Sequence, residues 1–312
     1  MIVLDALTYA GSPDNIPDDI KSSKRFEFWY GNVTNGDLMS QLVSRSDIVV
    51  HFAAESHVAR SIFDNRIFYE TDVLGTQAVA NAVSRKNGID RFIHISTSEV
   101  YGTALTAPMT EDHPLNPLSP YASAKAGADR LVYSYIASYG IPAVILRPFN
   151  QFGPKQHLEK VIPRFITSAI LEEPLTVHGT GGAIRDWLYV KDTCERIDKV
   201  MHAPIETIQG EVFNLGSGFE LDVLSIARLV LDILKKPDDL ISHIGNRPGQ
   251  VDRHISSTAK ASERLGIGPG RPFEEGLAET IAWYATHRSW WEKLLWMRHV
   301  PIITESGKVE YH

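Results

Sequence analysis

Four short apolar runs, Ile2-Val-Leu4, Ile48-Val-Val-His-Phe-Ala53, Phe92-Ile-His-Ile95 and Ala143-Val-Ile-Leu146, alternate with longer amphipathic stretches. Helices are expected over residues 70 to 87 and 119 to 139. Runs of four to six apolar residues are too short for buried helices and read as strands. Strands separated by helical stretches can pair only in parallel through crossovers. The chain is thus expected to form an α/β, doubly wound, parallel sheet of Rossmann type, covered by helices on both faces.

After Gly153-Pro154 the rhythm changes. A helix is expected near 159 to 172, a hairpin-like stretch over Leu175-Thr-Val-His-Gly-Thr-Gly-Gly-Ala183, and further helices at 222 to 235 and 273 to 287. Residues 1–153, with a returning segment near 186–215, read as a dinucleotide-binding domain. Residues 154–185 and 216–312 read as a smaller α/β substrate lobe with a C-terminal arm containing Trp290, Trp291 and Trp296.

Charge and cysteine content narrow the function. The formal charge is −7, from 31 basic and 38 acidic residues, with no basic run interleaved with aromatics, which argues against nucleic-acid and anionic-membrane partners. Cys194 is the only cysteine, so no internal disulfide can form, and the chain reads as cytoplasmic. No metal site is suggested. His51 and His94 fall inside apolar strands and read as satisfied core histidines.

Tyr121 and Lys125 stand four residues apart in Ser119-Pro-Tyr-Ala-Ser-Ala-Lys125. On a helix they lie one turn apart, which places an ammonium beside a phenol. A neighbouring cation favours phenolate and lowers a pKa of about 10 toward working pH, so the phenol can take a proton from a hydroxyl. Tyr-x-x-x-Lys alone also describes an ordinary solvated helix face. The reading strengthens because Arg91-Phe-Ile-His-Ile-Ser96 reads as a buried strand delivering Thr97, Ser98 and Glu99 at its carboxyl end, where open α/β sheets bind ligands.

Around these residues, several segments match in order: Leu4-Asp-Ala-Leu-Thr-Tyr-Ala-Gly11, His51-Phe-Ala-Ala-Glu-Ser-His-Val58, Ser96-Thr-Ser-Glu-Val-Tyr-Gly102, Glu159-Lys-Val-Ile-Pro163, Arg185-Asp-Trp-Leu-Tyr-Val190, Phe213-Asn-Leu-Gly-Ser-Gly218 and Arg247-Pro-Gly249. With them the chain resembles the extended short-chain dehydrogenase/reductase family, specifically NAD-dependent nucleotide-sugar 4,6-dehydratases of the dTDP-glucose type. The resemblance implies oxidation of the sugar at C4, loss of water across C5 and C6, and return of the hydride to C6. It implies Tyr121 as C4 base and Lys125 as the nicotinamide-ribose anchor that tunes it. Thr97 would bind the C4 oxygen, and Glu99 would be the C5 base.

Ser98 departs from the pattern, because dTDP-glucose dehydratases place an aspartate there to protonate the departing hydroxyl, and serine is a far poorer donor. Thr-Ser-Glu resembles instead GDP-mannose and UDP-N-acetylglucosamine 4,6-dehydratases, and also UDP-glucuronate decarboxylase-like proteins. A 4-epimerase or decarboxylase therefore stays open, as does a non-catalytic remnant.

The resemblance also implies a cofactor set of Asp5, Thr8, Asn32, Val33, Phe52, Ala53, Ala54 and Thr71 together with Tyr121 and Lys125. Asp5 would accept from the adenosine ribose 2′-hydroxyl and so favour NAD over NADP. Asn32 stands where the family often has aspartate, and Asp72 where it often has asparagine. Ser56, Asn150, Lys160, Val161, Arg185, Asn214 and Arg247 would hold the nucleotide sugar. Arg185 and Arg247 are suited to diphosphate by their guanidinium forks. The family's homodimer through a four-helix bundle is expected from the stretches 70 to 87 and 119 to 139.

A dinucleotide fold places its glycine-rich phosphate turn about 20 residues before the ribose-binding acid. Asp5 has four residues before it. The sheet is therefore expected to lack its first, central strand, which leaves two unpaired edges. NAD affinity is expected to be weakened by the loss of backbone donors to the pyrophosphate.

Overall fold

The computed structural model describes residues 1–246, 251–303 and 306–311. They divide into two compact units. The first comprises Met1–Val100, Ser119–Arg147 and Asp198–Phe213, the second Tyr101–Leu118, Pro148–Ile197 and Asn214–His312.

In the first unit, β1 (Ile2–Asp5) and β2 (Glu27–Tyr30) form a parallel pair. A four-stranded sheet runs in the order β3 (Ile48–His51), β4 (Arg91–Ile95), β5 (Ala143–Pro148) and β9 (Val212–Leu215), with β3, β4 and β5 parallel. Among the described residues no strand joins β1 to β3, so both edges are unpaired, as the sequence predicts. Side chains keep the pair in place. Ile2, Leu4 and Trp29 pack with Val49 and Ala53 against a core built on Leu42, Val79, Val83, Phe92 and Ile145.

The helix Pro120–Tyr139 is delimited by its sequence. The Ser119 hydroxyl accepts the Ala122 N–H at 3.1 Å, Pro120 occupies the first turn, and Gly140 ends the helix at φ 63°. These are the expected cap, first-turn and C-terminal residues of a helix. The helix expected over 70 to 87 has two parts, a π-helical turn at Tyr69–Gly75 followed by regular helix at Thr76–Arg85.

In the second unit, β8 (Ile184–Tyr189) pairs with β6 (Asn150–Phe152) and β12 (Arg253–His254) in parallel and with β10 (Glu220–Asp222) antiparallel. Helices Val161–Leu171, Val223–Leu234 and Phe273–Thr286 pack around Phe165, Trp187, Leu231 and Tyr284. The hairpin expected over Leu175–Ala183 does not form. β7 (Leu175–His178) instead pairs in parallel with β11 (Ile241–Ile244), while the chain after it enters β8. Gly179 and Gly181 both take positive φ, and a Cβ on Gly181 would lie 2.7 Å from the Val177 side chain and 2.8 Å from that of Leu224. This crowded turn directs the chain away from β7 rather than back along it.

The C-terminal arm is packed in part. Trp291 is fully buried and donates its indole N–H to the Tyr284 carbonyl at 2.7 Å. Trp296 is 78% exposed, so tryptophan content alone overstates how much of the arm is core.

Candidate active site

β4 ends at Ile95, and the next four residues carry three of the predicted groups. The buried Lys125 ammonium donates to the Ile95 carbonyl at 2.7 Å, tying the helix to the end of the strand. Tyr121, one turn earlier, is hydrogen-bonded to the Thr97 hydroxyl, and the Phe68 ring meets it edge-on with centroids 6.3 Å apart. The Glu99 N–H donates to the Thr97 oxygen at 3.2 Å. Thr97 and Ser98 are buried and Glu99 is half-buried. Thus Thr97, Glu99, Tyr121 and Lys125 come together at the carboxyl end of one strand, 28 positions separating the first from the last in sequence.

The electrostatics correct one expectation. Burial pushes the Tyr121 phenol above its ordinary value; the Thr97 hydrogen bond opposes this, while Asp72 and Glu99 add to it. The predicted lowering by Lys125 is absent from the protein alone, because desolvation outweighs a cation whose hydrogen bond goes to Ile95. Lys125 is itself lowered by burial, opposed by the charges of Asp72 and Asp129.

Asp129 follows Lys125 by one further turn on the same face, a signal the sequence carried and that its reading missed. Its carboxylate accepts from Ser96 Oγ at 2.7 Å, from Arg147 at 2.9 and 3.0 Å, and from Arg130 at 2.5 and 3.0 Å. Burial opposes its ionisation, but Arg147 and Arg130 prevail and hold it at about 2. Asp72, on the π-helical turn, is also fully buried, and its Oδ1 accepts the Glu55 N–H at 2.7 Å.

Of the two strand histidines, His51 is satisfied by the Thr76 hydroxyl at 3.0 Å. His94 differs from expectation, since both its ring nitrogens are buried without a hydrogen-bond partner among the described residues. Its ring lies 5.6 Å from that of His51, and burial holds it neutral, well below the ordinary histidine value. No cluster of three or more His, Cys, Asp or Glu able to hold a metal occurs among the described residues.

The predicted cofactor residues follow the carboxyl ends of successive strands. Asp5 closes β1 with an exposed side chain, and its Oδ1 accepts the Leu7 N–H at 2.7 Å. The Thr8 carbonyl accepts the Gly11 N–H at 2.8 Å. A Cβ on Gly11 would come within 2.7 Å of the Leu7 backbone, so this tight loop needs its glycine. Asn32 spends its side-chain oxygen on Thr34, while Val33 is buried in the core. Beyond β3, Phe52 is 60% exposed, with Ala53 and Ala54 half-buried, and Thr71 lies half-buried on the π-helical turn. An exposed acid at one end and a buried ammonium with a phenol at the other fit the two ribose ends of a dinucleotide.

In the first unit, Ser56 is exposed in the loop after β3. In the second unit, Asn150 lies on β6 and Arg185 on β8, two residues before Asn150's register partner Trp187. Arg185 is buried and donates to the Ile184 carbonyl. Lys160 caps the Val161–Leu171 helix, and Val161 opens it. Asn214 is fully buried: it accepts from the Tyr101 hydroxyl at 2.7 Å, donates to the Met109 carbonyl at 3.0 Å, and its N–H donates to Glu111 at 2.8 Å. That geometry makes it a strut. Arg247 lies outside the described residues.

Residues 1–280 match the model of the GDP-mannose 4,6 dehydratase family. The chain is 42% identical to the low-salt glycan biosynthesis protein Agl12 of Haloferax volcanii, over 91% of this chain and 90% of that one. It is 39% identical to a dTDP-glucose 4,6-dehydratase of Streptomyces antibioticus, over 94% and 85%. The solved structure of DesIV, a dTDP-glucose 4,6-dehydratase from Streptomyces venezuelae with NAD and TYD bound, superposes with a TM-score of 0.89 at 37% identity, covering 94% of this chain and 89% of that one. A UDP-glucuronic acid 4-epimerase from Bacillus cereus in complex with UDP-glucuronic acid and NAD is similar at 28% identity and a TM-score of 0.86, over 91% and 90%.

Proposed function

The chain belongs to the GDP-mannose 4,6-dehydratase family, within the extended short-chain dehydrogenase/reductases, and on that premise we propose that it is an NAD-dependent nucleotide-sugar 4,6-dehydratase. The observation that carries this reading is the gathering of Thr97, Glu99, Tyr121 and Lys125 at the end of β4.

NAD, when bound, supplies the hydride acceptor for C4 and the hydride donor for C6. Tyr121 takes the C4 hydroxyl proton, Thr97 steadies the reacting oxygen, and Lys125 holds the ribose end. The resulting C4 ketone acidifies C5. Glu99 removes the C5 proton, and the C6 hydroxyl leaves as water. Because Ser98 is a weak acid, Glu99 passes its acquired proton to the departing hydroxyl. With the hydride returned to C6, Glu99 takes a proton from solvent and delivers it to C5, while Tyr121 releases the C4 hydroxyl proton to solvent, which closes the balance.

The first unit is the NAD-binding domain and the second the nucleotide-sugar lobe, with Arg185 directed to the diphosphate. dTDP-glucose is the favoured substrate, since a relative carrying that activity in its name is 39% identical over 94% of this chain. The functional form is a cytoplasmic homodimer. Leu74, Tyr133 and Tyr139 support this, as apolar residues left exposed along the stretches expected to pair.

Incubation with dTDP-glucose, UDP-N-acetylglucosamine and GDP-mannose should yield a 4-keto-6-deoxy sugar from one of them. No such product from any would refute the reading. Ser98, together with the similarity to the 4-epimerase, favours a second reading as a 4-epimerase or decarboxylase. Release of carbon dioxide from UDP-glucuronate, or inversion at C4 without loss of water, would identify these.

A further inference from the structure

Two consecutive residues at the end of β4 are tied to the helix Pro120–Tyr139. The Ile95 carbonyl accepts from the Lys125 ammonium at 2.7 Å, and the Ser96 hydroxyl donates to Asp129 Oδ2 at 2.7 Å. Lys125 and Asp129 are one turn apart, and Tyr121 lies one turn before Lys125. Three successive turns of one helix face thus meet Thr97, Ile95 and Ser96. One bond would leave the strand end free to pivot about it; two fix its direction as well as its place.

The Ser96 tie is firmly held. Ser96 is 4% exposed, and Asp129 is fully buried and ionised. A carboxylate only accepts, so Ser96 must donate, and a hydrogen bond to a charged partner is of the stronger kind. Arg147 in turn grips both oxygens of Asp129, through Nε at 2.9 Å and Nη2 at 3.0 Å. Arg147 stands on β5, where its neighbour Leu146 is the register partner of Ile95. The Ser96 N–H donates to the Leu146 carbonyl at 2.7 Å. Backbone and side chain of Ser96 are therefore both fastened to β5, one directly and the other through Asp129. The chain leaves the sheet immediately afterwards, with Thr97 next and a 3-10 turn from Ser98. The Thr97 oxygen accepts the Glu99 N–H at 3.2 Å, and its hydroxyl is hydrogen-bonded to Tyr121.

We propose that Ser96 is a positioning residue, whose hydroxyl, anchored on Asp129, sets the direction in which the chain leaves β4 and so holds the Thr97 oxygen against the Tyr121 phenol. The catalytic consequence rests on the dehydratase reading above, whereas the placement of Thr97 does not.

Substitution Ser96→Ala leaves Asp129 its arginines and β4 its backbone bonds, and removes only the side-chain tie. The value of kcat should fall on the order of 10- to 100-fold, the scale on which displacements of up to about 1 Å slow a reaction. KM for the nucleotide sugar and the affinity for NAD should stay near the parent's, a split that a general loss of stability would not produce. Ser96→Cys keeps nearly the same volume with a far weaker donor. It should fall as the alanine variant does, and it stands in should that variant fold poorly. The Thr97 methyl resonance, assigned by its loss in Thr97→Ser, should shift or broaden in both variants. A parental kcat in either folded variant, or an unmoved Thr97 methyl, would overturn the assignment. A displaced methyl in a protein whose parent forms no 4-keto product would sustain the placement of Thr97 by Ser96 and reject the dehydratase reading.

Discussion

The Asp129→Asn substitution probes the structure directly behind the chemistry. Asp129 is fully buried, and the Arg147 side chain that meets it at 2.9 Å is 3% exposed. Its carboxyl lies at about 2 against a reference value of 3.8, which by linkage is worth about 2 kcal/mol of stability at neutral pH. Removing the charge also leaves the Arg147 guanidinium without its carboxylate in a desolvated site, a change that costs roughly 3–5 kcal/mol where buried pairs are broken. The expected loss is therefore on the order of 2–5 kcal/mol. The sign with pH follows from the lowered value: the contribution is complete above about pH 4 and fades as pH falls through 2. Urea unfolding of parent and variant between pH 7 and 3 reads this directly. The difference should stay level from pH 7 to 5 and begin to narrow below 4. A cost under about 1 kcal/mol at pH 7, or one that widens in acid, would refute the account, since a surface pair gives such small values. Arg147→Met combined with Asp129→Asn should cost less than the sum of the single changes, because the two share one interaction.

Three further outcomes follow. Glu99→Gln should still oxidise C4 but stop before losing water, so near-ultraviolet absorbance of reduced cofactor should build up in a single turnover; parent-like product formation would remove Glu99 from its role. Tyr121→Phe should lower kcat by about 10²–10⁴, the usual contribution of a positioned acid or base, with substrate binding by calorimetry largely retained. Leu74→Asp places a charge among the exposed apolar residues, and light scattering should then show monomer where the parent shows dimer.

How much of this was legible depended on whether the determining interaction was local. The helix at 119 to 139 was placed from the sequence pattern, and Tyr121 with Lys125 shared a face by spacing alone. The strand positions followed from apolar runs. What the spacing could not show was the competition for each charge. Whether Lys125 acts on Tyr121 or donates its hydrogen bond to the Ile95 carbonyl depends on a strand 30 residues away. Asn214 looked like a ligand by motif, yet its partners Tyr101 and Met109 lie more than 100 positions earlier. The stretch Leu175–Ala183 read as hairpin-like from its local sequence; only the distant β11 decides where β7 pairs.

The π-helical turn at Tyr69–Gly75 implies a constraint of a different kind, on length rather than composition. A π-helical turn holds one more residue than the α-helical turn it replaces. Losing a single residue from it would restore a regular helix and change which of the residues between Phe68 and Thr76 share a face. Here the count of residues is itself part of the active site, and a one-residue deletion would do harm that no conservative substitution in the segment could match.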